Sequence, residues 1–223
     1  YRFIEALAPH FDVYALLAGH PESLHLPPEW DCHTAFVPLA LWPDSGMRIK
    51  SVLTFCPGLY RRFWPYPLEW RRAAACRLKY PFDVTDFDVV HVFRFYMTPL
   101  MDALIPHIRV GQRWMDLDDI ESAVRAQLAA LYARRRRPAR ASLAQMEARQ
   151  YAALEALHMR RFDRVFVGSP DDRNQLIEAG LHDAPEVAPN VVSRPESPPA
   201  SPTDRAPFRF LFVGTLNYEP NVD

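Results

Sequence analysis

The chain predicts an α/β fold built on a doubly wound parallel sheet. Three features carry this expectation. Short runs of consecutive apolar residues recur along the chain, the pattern of strands covered on both faces. Segments with helical spacing separate these runs. Helix start and stop signals lie at the joins, so that strand and helix alternate.

Taken in order, YRFIEALA at 1–8 reads as the tail of an amphipathic helix, with Phe3, Ile4 and Leu7 on one face. FDVYALLA at 11–18 is the first strand, TAFVPL at 34–39 the second, and FDVVHVFRF at 87–95 the third and strongest. VGQRWMDL at 110–117, DRVFVG at 163–168 and the shorter EVAPNVV at 186–192 follow, and FRFLFVG at 208–214 is the seventh. Ile120, Val124, Leu128 and Leu131 recur at helical spacing; Pro138 interrupts, and a second helix runs from about Ser142 to Arg160. Ser169 can cap the next helix, Pro170 suits its first turn, and Asp172 is placed to complete a capping box. Gly180 is its natural stop. The stretch SRPESPPASPTDRAP at 193–207 reads as a semi-rigid linker. The expected organisation is therefore a Rossmann-like domain over 1–192, a Pro-rich linker over 193–207, and the first strand of a truncated second domain over 208–223.

Composition narrows the class. Of 223 residues, 49% are hydrophobic and 24% charged, which excludes a disordered chain, a collagen and a disulfide-rich peptide. A formal net charge of -1 gives no global field that would attract nucleic acid. The 22 prolines against 7 glycines predict long, stiff connections. Cys32, Cys56 and Cys76 form no CxxC pair, which argues against a thiolate zinc site and fits a reducing compartment, the cytoplasm. No apolar run of the length needed to span a membrane is present, and no signal peptide is recognisable. Tyr1 falls inside what reads as a helix and Asp223 just after a strand, so both ends read as cut.

Several residues can carry chemistry. Asp116-Leu117-Asp118-Asp119 stands at a strand end. A DxD pair is a Mg²⁺ or Mn²⁺ ligand pattern, and in dehalogenase-type phosphatases its first Asp is a nucleophile, but Ile120 replaces the expected Thr and the motif lies mid-chain. Two neighbouring carboxylates are too few for a cation, so no metal is expected. The remaining readings are a helix cap by Asp118 or Asp119, with Glu121 favouring the dipole, and a substrate-facing role. Alternation on 87–95 places His91, Phe93 and Phe95 on one face and Val92 and Arg94 on the other. His91 reads as a core residue. Arg94, near the carboxyl end, either binds a phosphate or carboxylate or pairs with a loop acid such as Asp102. The segment 59–80, LYRRFWPYPLEWRRAAACRLKY, is basic and aromatic. It reads as an ordinary helix with inward aromatics, a membrane-interface stretch, or a stacking surface for single-stranded nucleic acid. Arg134–Arg137 is a solvated turn or an aid to lipid headgroup binding. Gly214, at the end of a strand, allows close backbone approach to a diphosphate.

The order of these pieces resembles the family 4 glycosyltransferases of the GT-B fold, closest to the sugar transferases of bacterial exopolysaccharide clusters. DLDDIES from Asp116 to Ser122 resembles the D-rich strand end of their amino-terminal domain. FDRVFVGS from Phe162 to Ser169 resembles its late strand and cap, and Ala188-Pro189-Asn190-Val191 the turn before the linker. FVGTLNYEPNVD from Phe212 to Asp223 resembles the opening of the donor domain and is the most specific match. The resemblance implies sugar transfer from a nucleotide diphosphate sugar, as co-substrate rather than cofactor, to a polysaccharide or lipid-linked acceptor. It implies no metal and work at the cytoplasmic face of a membrane, where the membrane-interface reading of 59–80 would supply a peripheral contact; the near-zero net charge leaves no nucleic-acid partner expected. Substrate-binding candidates are Arg94, Asp116, Asp118, Asp119, Ser169 and Asn190; donor diphosphate candidates are Gly214 and Asn217. The glycine-rich loop would precede Tyr1 and the paired glutamates would follow Asp223, so activity is expected of a longer parent and not of this chain alone. Phe93 occupies the position where many relatives carry a His, and no catalytic residue is assigned. The other reading is a catalytically inactive acceptor-binding module.

Overall fold

The computed structural model describes residues 4, 7–19, 32–38, 66–75 and 78–189, all within one compact unit, Tyr1–Pro189. The expected linker, the seventh strand, Asn190, Gly214 and Asn217 lie outside the described residues.

A helical turn precedes the first strand, with Ala8 N–H donating to Ile4 O at 2.9 Å and Phe11 N–H to Leu7 O at 3.1 Å. Strands β1 (Tyr14–Gly19) and β2 (His33–Pro38) pair in parallel, from Tyr14↔His33 to Gly19↔Pro38. Four further strands form a second parallel sheet in the order β3 (Asp86–Phe93), β4 (Arg109–Leu117), β5 (Arg164–Val167) and β6 (Glu186–Val187). Tyr14 meets Phe87 edge-on at 5.4 Å, and Leu16 and Ala18 pack with Val37 and Leu100. The chain is thus α/β with parallel sheets, compatible with a Rossmann-like domain. The described strands of the larger sheet follow chain order, so the reversal that defines double winding is not among them.

Among the described residues, five longer helices connect or flank the strands: α1 (Leu68–Ala74), α2 (Thr98–Leu104), α3 (Glu121–Arg134), α4 (Pro138–His158) and α5 (Pro170–Glu178). One face of the larger sheet, through Val92, Met115, Leu117, Val165 and Val167, joins Trp70, Phe95, Tyr151, Leu154, Met159 and Leu176 in the core. The other face carries His91, Phe93, Trp114, Asp116, Arg164 and Phe166, none of them buried. The period of two in strands separates the two sets. Two-sided coverage, expected from the apolar runs, is therefore met on one face only among the described residues. The open face is occupied by aromatic contacts among its own residues, such as His91 stacked on Phe166 at 6.1 Å and Arg164 over Trp114 at 4.9 Å. Gly111 lets β4 approach β3 closely, since a Cβ there would lie 2.6 Å from the Asp88 carbonyl oxygen.

Other expectations shift by local chemistry. Pro138 starts α4 instead of preceding it, because a first-turn proline loses no helical hydrogen bond. Strand β3 ends at Phe93 and not at residue 95, and the chain turns into a 3₁₀ segment, Phe95–Met97, that buries Phe95 completely. Within 59–80, α1 supports the ordinary-helix reading: Trp70 is buried against Phe95 at 5.4 Å and His158 at 5.1 Å. The expected stop of α5 is present. Gly180, at φ 63°, donates to Ile177 O and Leu181 N–H donates to Leu176 O, the paired bonds of a Schellman ending.

The serine cap of α5 is as expected, but Asp172 engages the Ser169 hydroxyl and not the Ser169 backbone N–H that a capping box uses. Ser169 Oγ accepts from Asp172 N–H at 3.1 Å and donates to Asp172 Oδ2 at 2.6 Å. Ser169→Ala is expected to lower stability by about 1 kcal/mol, with Ser169→Asn recovering most of it. Chemical denaturation of the three proteins checks this, and an unchanged midpoint in the alanine variant would count against the cap.

Candidate functional site

The residues with chemical potential gather at the carboxyl edge of the larger sheet, where open α/β sheets hold ligands. Arg94 follows β3 directly, Asp116 is near the end of β4 with Asp118 and Asp119 just beyond, and Ser169 follows β5. Parallel pairing brings these ends side by side, with Phe93 opposite Asp116 and Leu117 opposite Val167.

Arg94 has φ 70° and ψ 130°, backbone that a non-glycine residue adopts only at a cost of about 1–3 kcal/mol. The Arg94 N–H donates to Asp116 O at 2.9 Å, and this bond fixes the turn out of the strand. The strained residue breaks strand alternation and swings the guanidinium across the sheet edge. There it forms an ion pair with Asp118 and lies 3.8 Å from Asp119. Burial opposes the charged form of Arg94, but Tyr96 and the carboxylates of Asp118, Glu121 and Asp119 outweigh it and raise its pKa. The loop acid proposed for it, Asp102, pairs instead with Arg161, whose Nη1 lies 3.1 Å from Asp102 Oδ2.

Asp118 and Asp119 do not supply the cap of α3. The residue flanking its first turn is Ile120, whose side chain makes no capping bond. Ser122 N–H instead donates to Glu155 Oε1 at 3.0 Å, a cap delivered from α4. Asp118 is committed to Arg94, while Asp119, its side chain 49% exposed, projects toward solvent. Partial burial, then the Asp118 charge, raise the Asp119 pKa against the pull of Arg94. Asp172 also acts on Asp119, which places the start of α5 beside the cluster. Ser169 therefore lies near the site with its hydroxyl engaged in the helix cap. Asp116 Oδ2 lies 3.8 Å from His91 Nε2, so His91 sits on the open face and not in the core. Among the described residues no group of three or more potential ligands could hold a metal ion.

Behind this edge lies a polar network that the sequence reading missed. Arg125 on α3 pairs with Glu69 on α1 at 3.2 Å and with Glu147 on α4 at 3.6 Å. Tyr151 donates to Glu69 Oε2 at 3.2 Å, and the Arg125 guanidinium lies over its ring at 5.8 Å. Glu121 is buried between Asp119 and this network. Burial pushes its carboxyl up to about 7, with Glu69 and Asp119 adding to the rise and Arg125 and Arg94 opposing it. Burial likewise raises the pKa of Glu155, while the Ser122 bond works in the other direction. One signal was available in the sequence. Glu147, Tyr151 and Glu155 recur every four residues along α4, on the stripe that also buries Ala144, Ala148 and Leu154. Carboxylates on an apolar stripe need partners.

No protein-family model, curated protein or solved structure matches the chain. The site is therefore defined by its own geometry: a strained arginine and three carboxylates at the carboxyl edge of neighbouring parallel strands.

Proposed function

We propose that this chain is the acceptor-binding half of a glycosyltransferase, which moves a sugar from a nucleotide diphosphate sugar to a polysaccharide or lipid-linked acceptor at the cytoplasmic face of a membrane. The observation that carries the reading is Arg94, held in strained backbone at a sheet edge and aimed at the Asp118–Asp119 turn. Strain of this kind persists where a site requires a fixed side-chain position. The resemblance of residues 212–223 to a donor-domain opening supports the same reading.

In this reading the carboxylates accept hydrogen bonds from acceptor hydroxyls and Arg94 donates to them. The second domain, with Gly214 and Asn217 at its start, stabilises the charge that develops on the leaving diphosphate. No described helix is long and apolar enough to cross a membrane. Membrane contact through 59–80 would have to use residues other than Trp70, which is buried.

The test is sugar transfer by the protein expressed from the whole reading frame that contains these residues, assayed with labelled nucleotide sugars and EDTA. Label incorporated into glycan or lipid-extractable material supports the reading. Failure with every donor sugar overturns the enzymatic reading and leaves a binding module. Mg²⁺-dependent phosphate release that is abolished by Asp116→Asn would point to a hydrolase instead.

A further inference from the structure

The edge of β3 and β4 sets an exposed aromatic ring beside an excess of carboxylate. Phe93 is 55% exposed and stands opposite Asp116 in the strand register. The Arg94 guanidinium lies 5.7 Å from the centre of that ring. It is already held by Asp118, with Asp119 at 3.8 Å. Two carboxylates, Asp118 and Asp119, thus face the one guanidinium, and Asp116, whose carboxylate lies 3.8 Å from His91 Nε2, adds a third negative charge beside Phe93 on the open face.

This balance discriminates between ligand classes. A phosphate or carboxylate ligand would have to displace Asp118 from Arg94 and approach Asp116 and Asp119 against their charge. An uncharged polyol meets no such opposition. Carboxylates accept its hydroxyl hydrogens, the guanidinium donates to its oxygens, and the apolar face of a pyranose ring can lie on Phe93.

We infer that this edge is a saccharide subsite selective for an uncharged sugar unit, with Phe93 as its stacking surface and Asp116, Asp119 and Arg94 as its hydroxyl partners. The inference rests on the sugar-transfer reading and adds the charge class of the acceptor. It sets aside the anion-binding alternative that the sequence position of Arg94 left open beside pairing with a nearby acid. The pairing of Arg94 with Asp118 then serves to spread the guanidinium's donors toward hydroxyl groups without leaving a bare cation.

The test compares three probes that differ only at one carbon: methyl glucoside, methyl glucuronide and methyl glucoside 6-phosphate. Binding to the chain is followed by NMR titration. The expected result is binding of the neutral glycoside, with shifts at Phe93, Asp116 and Asp119, and roughly tenfold or weaker binding of the charged probes. Phe93→Ala should abolish the shifts while leaving the melting temperature unchanged, since the ring is largely exposed. Asp119→Asn should narrow the gap between neutral and charged probes. Equal or tighter binding of a charged probe would overturn the inference while leaving sugar transfer standing. Unaltered binding by Phe93→Ala would do the same. If no probe binds, the inference falls; transfer assays on the whole protein then decide separately whether the sugar-transfer reading falls with it.

Discussion

Arg125→Ala is expected to destabilise the domain by about 3–5 kcal/mol, the largest single-residue effect in the polar network. Arg125 pairs with both Glu69 and Glu147 and so links α3 to both α1 and α4. Burial disfavours its charge, yet the two carboxylates outweigh this and raise its pKa. Its removal takes a counter-charge from Glu147, whose side chain is 7% exposed. It also removes the guanidinium that lies over Tyr151. The consequence should extend beyond stability, because α1 is tied to the domain through Glu69 as well as through Trp70. Urea unfolding followed by tryptophan fluorescence measures the loss. Where the alanine variant fails to fold, Arg125→Met with Glu69→Gln and Glu147→Gln keeps the prediction testable. Removing all three charges together should recover much of the stability, because the cost lies in desolvated charge left without its partner. Equal losses from Arg125→Ala and from the neutral triple variant would refute this account.

A second large effect concerns pH. The Glu121 carboxyl has an ordinary pKa near 4.5 and is pushed to about 7 in the fold. The folded state therefore holds a proton that the unfolded state has released between these values. Ionised Glu121 is a burden on the fold: absent below about pH 4.5, it grows as the pH rises toward 7 and is complete above it. Glu121→Gln is accordingly expected to stabilise the protein by about 3 kcal/mol at pH 7.5, with little difference from the parent at pH 4.5. Thermal melts at the two pH values check this. A difference that stays constant with pH would show that glutamine acts through packing instead. Glu155 and Asp119, whose pKa values are also raised, act in the same direction, so the parent should gain stability on mild acidification. Exposed Asp86 and Glu186, lowered by Arg109 and Arg164, oppose this from the surface.

Much of the element order was legible because it follows from local rules. The apolar runs at 87–95 and 110–117 locate β3 and β4 to within two residues. Ser169 and Gly180 bound α5 because a hydroxyl cap and a left-handed glycine act on their own backbone. The helix over 98–104 was missed. Thr98-Pro99 opens it, and its signal is short and lies directly after a strand. Thr98 Oγ1 fixes the turn by donating to Phe95 O at 2.7 Å, a contact within three residues that needs Phe95 to leave the strand. The backbone at Arg94 makes it leave, and nothing in the residue type announces a positive φ for arginine.

The candidate site divides in the same way. Sequence position alone put Arg94 and Asp116 to Asp119 at strand ends, because strand length and parallel pairing determine which residues reach the carboxyl edge. Their pairing was decided by tertiary structure. Asp118 meets Arg94 from a position 24 residues away, and Glu155 reaches Ser122 across 33 residues to take the capping role that a local reading gives to Asp118 or Asp119. Local chemistry sets periods, caps and stops, since these depend on neighbours a few residues apart. Charge partners depend on which helices share a buried surface, and that surface exists only once α1, α3 and α4 have closed on one face of the sheet.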